Sequence, residues 1–182
     1  MISKRSLLVG LGGLICVPGA KPARAALPPV SMEQHEAGMR QAIEQGKKNA
    51  YYPYGAVITE AATGEVVAAA VNDSRINPTL HAEIVCINDY VAKHGNKGWD
   101  SKILYTTCEP CPMCMTALIW ARIGGVVFAS SAFSPALVAS IGTPIQISAQ
   151  EIVDKTSFYK PMLLGGVLAT ETDAMFANRK RY

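Results

Sequence analysis

Residues 102–129, KILYTTCEPCPMCMTALIWARIGGVVFA, carry the pattern that decides the fold. The apolar run 102–107 predicts a strand, and residues 111–122 predict a helix that tolerates Pro112 in its first turn. A glycine pair then ends the helix, and the apolar run 126–129 predicts a second strand. Such alternation of strand and helix is typical of α/β domains.

The segments on either side continue this alternation. The other predicted elements are a helix at 31–48, strands at 55–60 and 65–71 joined as a hairpin, a helix at 81–94, a short helix at 135–140 within an otherwise irregular stretch to 156, a strand at 161–164 and a closing helix at 167–177. We therefore expect an α/β fold, with a three-layer α/β/α domain around a central mixed sheet of about five strands.

Length and composition limit the number of domains and sites. The chain has 182 residues, of which 49% are hydrophobic and 17% are charged. These values exclude a disordered chain and suit one domain with one substantial core. We therefore look for a single active site.

The quoted segment also contains three cysteines, Cys108, Cys111 and Cys114, at three-residue spacing. The first turn of a helix would place the thiols of Cys111 and Cys114 on one face, where both can bind one ion. A helix N-terminus lowers the pKa of a thiol, which favours the deprotonated form that zinc binds. A disulfide or redox pair among these cysteines is the alternative.

An upstream motif, His81-Ala82-Glu83, favours the metal. One imidazole and two thiolates make the three protein ligands of a catalytic Zn²⁺, and the fourth position stays open for water. A structural zinc would need a fourth protein ligand. Cys108 could supply it, but this residue precedes the helix, and we interpret it as a small buried side chain.

The two motifs together, His-x-Glu followed by Pro-Cys-x-x-Cys, resemble the signature of zinc deaminases that act on nucleobases. Over roughly residues 31–180 the chain resembles the cytidine deaminase superfamily, and within it the guanine deaminase and tRNA adenosine deaminase branch. The segments that carry the resemblance are PYGAV at 53–57, HAE at 81–83, CEPCPMC at 108–114 and WAR at 120–122.

The chemistry of such a reaction assigns a role to each residue type. Zinc lowers the pKa of a bound water from 15.7 toward about 7. We expect Glu83 to be the catalytic acid and base, which takes a proton from that water, delivers it to the ring nitrogen and later protonates the leaving amine. The amide of Ala82 would face the same pocket. Glu109, a second nearby acid, fits a structural role better, as an acceptor of hydrogen bonds.

Three further residues are candidates for substrate binding. The resemblance implies that Asn72 hydrogen-bonds the base, and a turn residue is the alternative interpretation that we favour less. Tyr54 and Trp120 could stack on the base, although large aromatic residues also build cores.

One acid of the resembling guanine deaminases is missing. Those enzymes carry an aspartate after the cysteine helix, whereas no Asp lies between Asp100 and Asp154 here. Another acid from the C-terminal part, Glu151, Asp154 or Glu171, could replace it.

These features predict a zinc-dependent hydrolytic deaminase of a small nucleobase, nucleoside or related amino-heterocycle, with guanine or another free purine base preferred. Cytosine and pterin-like compounds are alternative substrates. A non-catalytic zinc-binding or thiol-redox module is the alternative from another class, and Glu83 disfavours it because a binding module needs no carboxylate there. We also expect a homodimer, in which the terminal Tyr182 could cover a bound base.

The first 25 residues have the pattern of a signal peptide. Lys4 and Arg5 precede the apolar run 7–17, and Ala23-Arg24-Ala25 resembles a cleavage site. The run is about half of the roughly 20 residues that a transmembrane helix needs, so we expect no membrane anchor. The mature deaminase domain would then be residues 26–182.

The segment around Lys4-Arg5 resembles a twin-arginine export signal with Lys in place of the first Arg. We therefore expect a periplasmic enzyme, exported after its thiolates have taken up zinc in the reducing cytosol. Cleavage would leave 13 basic against 14 acidic residues, a formal charge of −1 in place of +3. Only the tail 179–181 is a basic cluster, so tRNA or DNA is a poor candidate substrate.

Overall fold

The computed structural model describes residues 23–24 and 27–181. The signal-peptide prediction for residues 1–25 lies outside this range apart from Ala23–Arg24, as does the role suggested for Tyr182. Within the described range, no helix is both long and apolar enough to cross a membrane.

The sheet and its helices follow the predicted alternation. The strands are β1 (Ala23–Arg24), β2 (Gly55–Glu60), β3 (Val66–Val71), β4 (Lys102–Cys108), β5 (Gly125–Ser130), β6 (Tyr159–Lys160) and β7 (Met162–Gly165). The helices are α1 (Met32–Gly46), α2 (Ala82–His94), α3 (Pro112–Ala121), α4 (Pro135–Ile141), α5 (Ala149–Lys155) and α6 (Ala169–Ala177), with a 3₁₀ turn at Trp99–Ser101.

Five strands form one mixed sheet in the order β3-β2-β4-β5-β7. The β2 strand is antiparallel to both β3 and β4, whereas β5 is parallel to β4 and β7. The short strands β1 and β6 pair separately. The predicted mixed sheet of about five strands is confirmed.

Helices cover both faces of the sheet and give the three layers that the sequence predicts. One hydrophobic cluster joins α2, α3 and α5 to one face of the sheet, and a second joins α1 to the other face. Gly55 allows α1 to approach closely, because a Cβ there would collide with backbone atoms of Ala42 and Gly46. Since α2 and α3 share a face, their N-termini can meet at the same end of the sheet.

The prediction was wrong in one stretch. We expected irregular structure between the short helix at 135–140 and residue 156, but Ala149–Lys155 forms α5. Ser148 starts this helix with a capping box in which its hydroxyl accepts from the Glu151 amide and the Glu151 carboxylate accepts from the Ser148 amide. A helix of seven residues is too short to show a clear apolar period, so only its cap was readable.

Candidate active site

Three potential metal ligands meet where α2 and α3 begin. His81 is the N-cap of α2, Cys111 is the N-cap of α3, and Cys114 lies in the first turn of α3. The His81 Nδ1 atom lies 3.6 Å from each sulfur, and the two sulfurs are 3.6 Å apart. The sequence separated these residues by about thirty positions, and the fold brings them together.

The triangle fits a tetrahedral zinc ion. Zinc–sulfur bonds of about 2.3 Å and zinc–nitrogen bonds of about 2.0–2.1 Å place neighbouring ligand atoms about 3.6–3.8 Å apart. Among the described residues, His81, Cys111 and Cys114 form the group of His, Cys and acidic side chains close enough to hold a metal ion together. The remaining tetrahedral position is then open to a water or a substrate atom.

The ligands perturb one another electrostatically. Hydrogen bonds from Cys114 and from His81 lower the pKa of the Cys111 thiol to about 4, against the effect of burial. The same contact with Cys111, together with burial and the nearby Glu83 carboxylate, raises the pKa of Cys114. The hydrogen bond with Cys111 raises the pKa of His81. Zinc would replace these shared protons and bind the groups in their deprotonated forms.

Glu83 is a buried carboxylate beside this triangle. Its side chain is 5% exposed, and its Oε1 atom accepts a 2.9 Å hydrogen bond from the Thr106 hydroxyl. Burial raises the pKa of Glu83, although the Thr106 hydroxyl opposes the shift. A carboxylate with a raised pKa can both take and return a proton near neutral pH.

Thr106 is a residue that sequence reasoning missed. It lies in β4 and is fully buried, with no local motif to distinguish it from other strand threonines. Only the alternation of side chains along β4 and the position of α2 bring its hydroxyl to Glu83. Thr106 therefore orients the carboxylate that the sequence picked out.

Glu109 has the structural role that the sequence favoured. Its two carboxylate oxygens accept hydrogen bonds from the Ser131 hydroxyl and the amides of Ala132 and Ala149. These contacts tie the loop before Cys111 to the segment after β5 and to the start of α5. Glu109 thus fixes the backbone next to the metal ligands.

Three predicted substrate residues lie at the same end of the sheet. Asn72 is 5% exposed, and its side-chain amide donates to the Ser74 hydroxyl at 2.8 Å. Its backbone amide donates to the Tyr54 carbonyl oxygen. Ala82 is fully buried in the first turn of α2, where helix amides lack intrahelical partners. Their contacts with substrate stay a prediction.

Trp120 lies elsewhere. It is in the last turn of α3, 70% exposed, and its ring packs 4.8 Å from that of Phe158. The structure therefore does not bring Trp120 to the metal ligands, which lie at the other end of α3. Its role in substrate binding stays a prediction.

The three acids suggested as replacements for the missing aspartate have other partners. Glu151 caps α5, and Asp154 accepts a hydrogen bond from Gln150. Glu171 forms an exposed ion pair with Arg40 at 2.9 Å. Within the described part of the chain, none of these contacts places an acid at the potential metal ligands.

Comparison with known proteins identifies similar sequences and folds. Residues 32–130 match the family model of the cytidine and deoxycytidylate deaminase zinc-binding region. The chain is 32% identical to the guanine deaminase of Bacillus subtilis, over 71% of this chain and 85% of that protein. It is also 32% identical to the tRNA-specific adenosine deaminase of the same organism, over 80% of this chain and 88% of that protein.

A solved structure extends this similarity to the fold. It comes from a study of A-to-I editing by tRNA:A34 deaminases and is 25% identical, with a TM-score of 0.63. The match covers 76% of this chain and 98% of the other. The comparisons thus cover the segment that holds the metal ligands and the whole of the central sheet up to β5.

Proposed function

Because the chain belongs to the cytidine and deoxycytidylate deaminase zinc-binding family, we propose that it is a hydrolytic deaminase of a small amino-heterocycle, with a free purine base, guanine first, preferred. The observation that carries the proposal is the buried carboxylate of Glu83 beside the three ligands His81, Cys111 and Cys114. A non-catalytic zinc or thiol-redox module does not need this carboxylate.

Different residues of the chain bind the metal, orient the carboxylate and transfer the protons. His81, Cys111 and Cys114 would hold a zinc ion, which would supply Lewis-acid chemistry that makes water nucleophilic at neutral pH. Thr106 holds one oxygen of Glu83, which leaves the carboxylate oriented to take a proton from the attacking water. Glu83 delivers this proton to the ring nitrogen, then takes a second proton from the hydroxyl group added to the ring carbon and gives it to the leaving amine, which departs as ammonia.

Two features support a free base over a tRNA. The mature chain would have a formal charge of −1, whereas nucleic-acid binders carry a basic face. In addition, Arg179 of the basic tail is engaged within the fold, where its guanidinium donates to the Tyr51 carbonyl oxygen and to Ser140. The Arg179 guanidinium is therefore held against the fold and is less free to bind a phosphate group.

The proposal includes export and self-association. We propose a periplasmic or equivalent exported location, with the mature chain beginning at Ala26. Leu27 and Val30 support this boundary because they already pack against the core under the sheet. We also propose that the mature protein forms a homodimer.

An assay for released ammonia tests the substrate and the proton carrier together. The zinc-loaded protein is incubated with guanine, adenine, cytosine, their nucleosides, aminopterins and tRNA. We expect the highest kcat/KM for a purine base, and a fall of about 100-fold to 10,000-fold in Glu83→Gln, which keeps the size of the side chain but cannot carry the proton.

The controls separate the parts of this proposal. Equal zinc content and thermal stability in Glu83→Gln would show that its loss of turnover is chemical. Good turnover of cytosine or a pterin without turnover of guanine would contradict the purine assignment and leave the deaminase mechanism intact. Retained turnover in Glu83→Gln would assign the proton transfer to another group.

A further inference from the structure

The Tyr54 side chain lies on the same face of the sheet as the catalytic groups. Tyr54 precedes Ala56 by two residues. Ala56 belongs to the hydrophobic cluster under α2 and α3, and Tyr54 packs against this cluster. Across the sheet, Ala56 pairs with Thr106, the residue that holds Glu83. Tyr54 lies two residues before Ala56, on the same face and nearer the end of the sheet. We therefore place its side chain at the border of the pocket that contains the Glu83 carboxylate.

The position of Tyr54 is fixed on three sides. Its amide donates to the Tyr52 carbonyl oxygen at 2.7 Å, and its own carbonyl oxygen accepts from the Asn72 amide at 2.9 Å. Its ring packs against Phe176 of α6, with centroids 4.9 Å apart and planes inclined by 48°. A ring held in this way keeps its hydroxyl at one place, which lowers the entropic cost of binding a ligand there.

The hydroxyl itself is available to a ligand. No hydrogen bond from the Tyr54 hydroxyl is found within the part of the chain that the structure describes. Among the described residues, every side-chain nitrogen or oxygen completely sealed from solvent has a hydrogen-bond partner, so the Tyr54 hydroxyl is not completely sealed. Burial, with Cys108 and Glu83 nearby, raises the pKa of Tyr54. The phenol therefore stays protonated and can donate a hydrogen bond.

We propose that the Tyr54 hydroxyl determines specificity by hydrogen-bonding a polar ring substituent of the substrate, a carbonyl or amino group other than the amine that leaves. This inference rests on the proposed deaminase function. Tyr54 then does more than stack on a base: its hydroxyl selects among heterocycles that present the same amine to Glu83. A substrate without that substituent leaves the hydroxyl without a partner and is disfavoured.

The test compares Tyr54→Phe with the wild type on a matched pair of substrates. The pair is the best purine found in the ammonia assay and an analogue without one polar substituent; for guanine the analogue is 2-aminopurine, which keeps the amine and lacks the carbonyl. Losing one neutral hydrogen bond should lower kcat/KM for the first compound by about 2-fold to 12-fold. The kcat/KM for the analogue should fall little in Tyr54→Phe. The ratio of kcat/KM between the purine and the analogue should therefore be smaller than in the wild type.

Tyr105→Phe is the matched control. The Tyr105 hydroxyl is bonded to His35 at 3.1 Å in the cluster on the opposite face of the sheet, so its loss should leave both kcat/KM values unchanged. Zinc content and thermal stability are measured for each variant.

Each outcome bears on one claim. Equal losses on both substrates, or no loss on either, would overturn the role of the Tyr54 hydroxyl while the wild type still releases ammonia. No ammonia from any compound with the wild type would instead overturn the deaminase proposal, and the role of Tyr54 would fall with it.

Discussion

At the scale of single residues, the three cysteines of the CEPCPMC segment differ in their surroundings although their spacing is uniform. Cys111 and Cys114 face His81, whereas Cys108 is 5% exposed and packs with Leu137 and Phe176. Burial raises the pKa of Cys108 well above that of an ordinary thiol. Cys108 is therefore a buried core side chain that lies apart from the three residues that could hold a metal ion.

Single cysteine replacements should separate these roles. Wild-type protein should contain about one zinc per chain, and Cys111→Ala or Cys114→Ala should lose most of it because two ligands hold the ion poorly. Cys108→Ala should keep the metal and lose only some stability. Metal analysis of the purified variants checks this. Equal loss of zinc from Cys108→Ala would indicate a closed structural site.

Local motifs could predict the ligands but not the residues that support them. His81, Cys111, Cys114 and Glu83 belong to short motifs whose spacing reflects helix starts, so the sequence was sufficient to choose them. The role of Thr106 could not be predicted from the sequence, because its contact with Glu83 depends on where α2 lies over β4. The substrate candidates remained unresolved because contact with a ligand depends on the assembled pocket.

At the scale of elements, the outer edge of the sheet at β3 is protected by side chains of α2. The Asp89 carboxylate accepts from the Ala69 amide at 3.3 Å, and the His94 ring contacts the Val67 carbonyl oxygen at 3.2 Å. An uncovered edge strand can pair with another chain, which favours aggregation. These two side chains occupy backbone groups that an incoming strand would need.

Removing the Asp89 carboxylate from the β3 edge should lower the stability of the protein and favour its aggregation. Asp89→Ala leaves the Ala69 amide without its partner and also removes the ion pair with Lys93, so we expect a loss of about 1 kcal/mol in the free energy of unfolding and faster aggregation. Chemical denaturation and light scattering measure the two effects. Asp89→Asn keeps an acceptor oxygen and should aggregate more slowly than Asp89→Ala; identical behaviour of the two would contradict a role for the hydrogen bond.

The prediction of elements succeeded where the chain gives long periodic signals. The five strands of the main sheet and the helices α1, α2 and α3 have clear apolar patterns and end signals. The short α5 offers only the signal of its cap, and the two-residue strands β1 and β6 offer no pattern, because elements this short cannot show an apolar period.

At the scale of the whole molecule, the boundary of the domain can be located from packing. The side chains of Leu27 and Val30 are half-buried against the hydrophobic cluster that includes α1 and the sheet. Leu27 lies beside Gly124 and Gly125, where a Cβ on either glycine would crowd it. The folded domain therefore includes residues 27–30, and a mature chain that begins at Ala26 retains these contacts.

Truncation should show this boundary. A chain that begins at Ala26 should unfold at nearly the same temperature as the full chain, because it keeps Leu27 and Val30 and loses only the two-residue pairing of β1 with β6. A chain that begins at Ser31 loses both Leu27 and Val30 and should be less stable by about 1–3 kcal/mol, the value of burying one or two partly exposed apolar side chains. Chemical denaturation of the three proteins measures the difference, and N-terminal sequencing of the exported protein identifies the natural start. Equal stability of the chain from Ser31 would place the domain boundary after residue 30, and an intact Met1 on the active protein would refute cleavage.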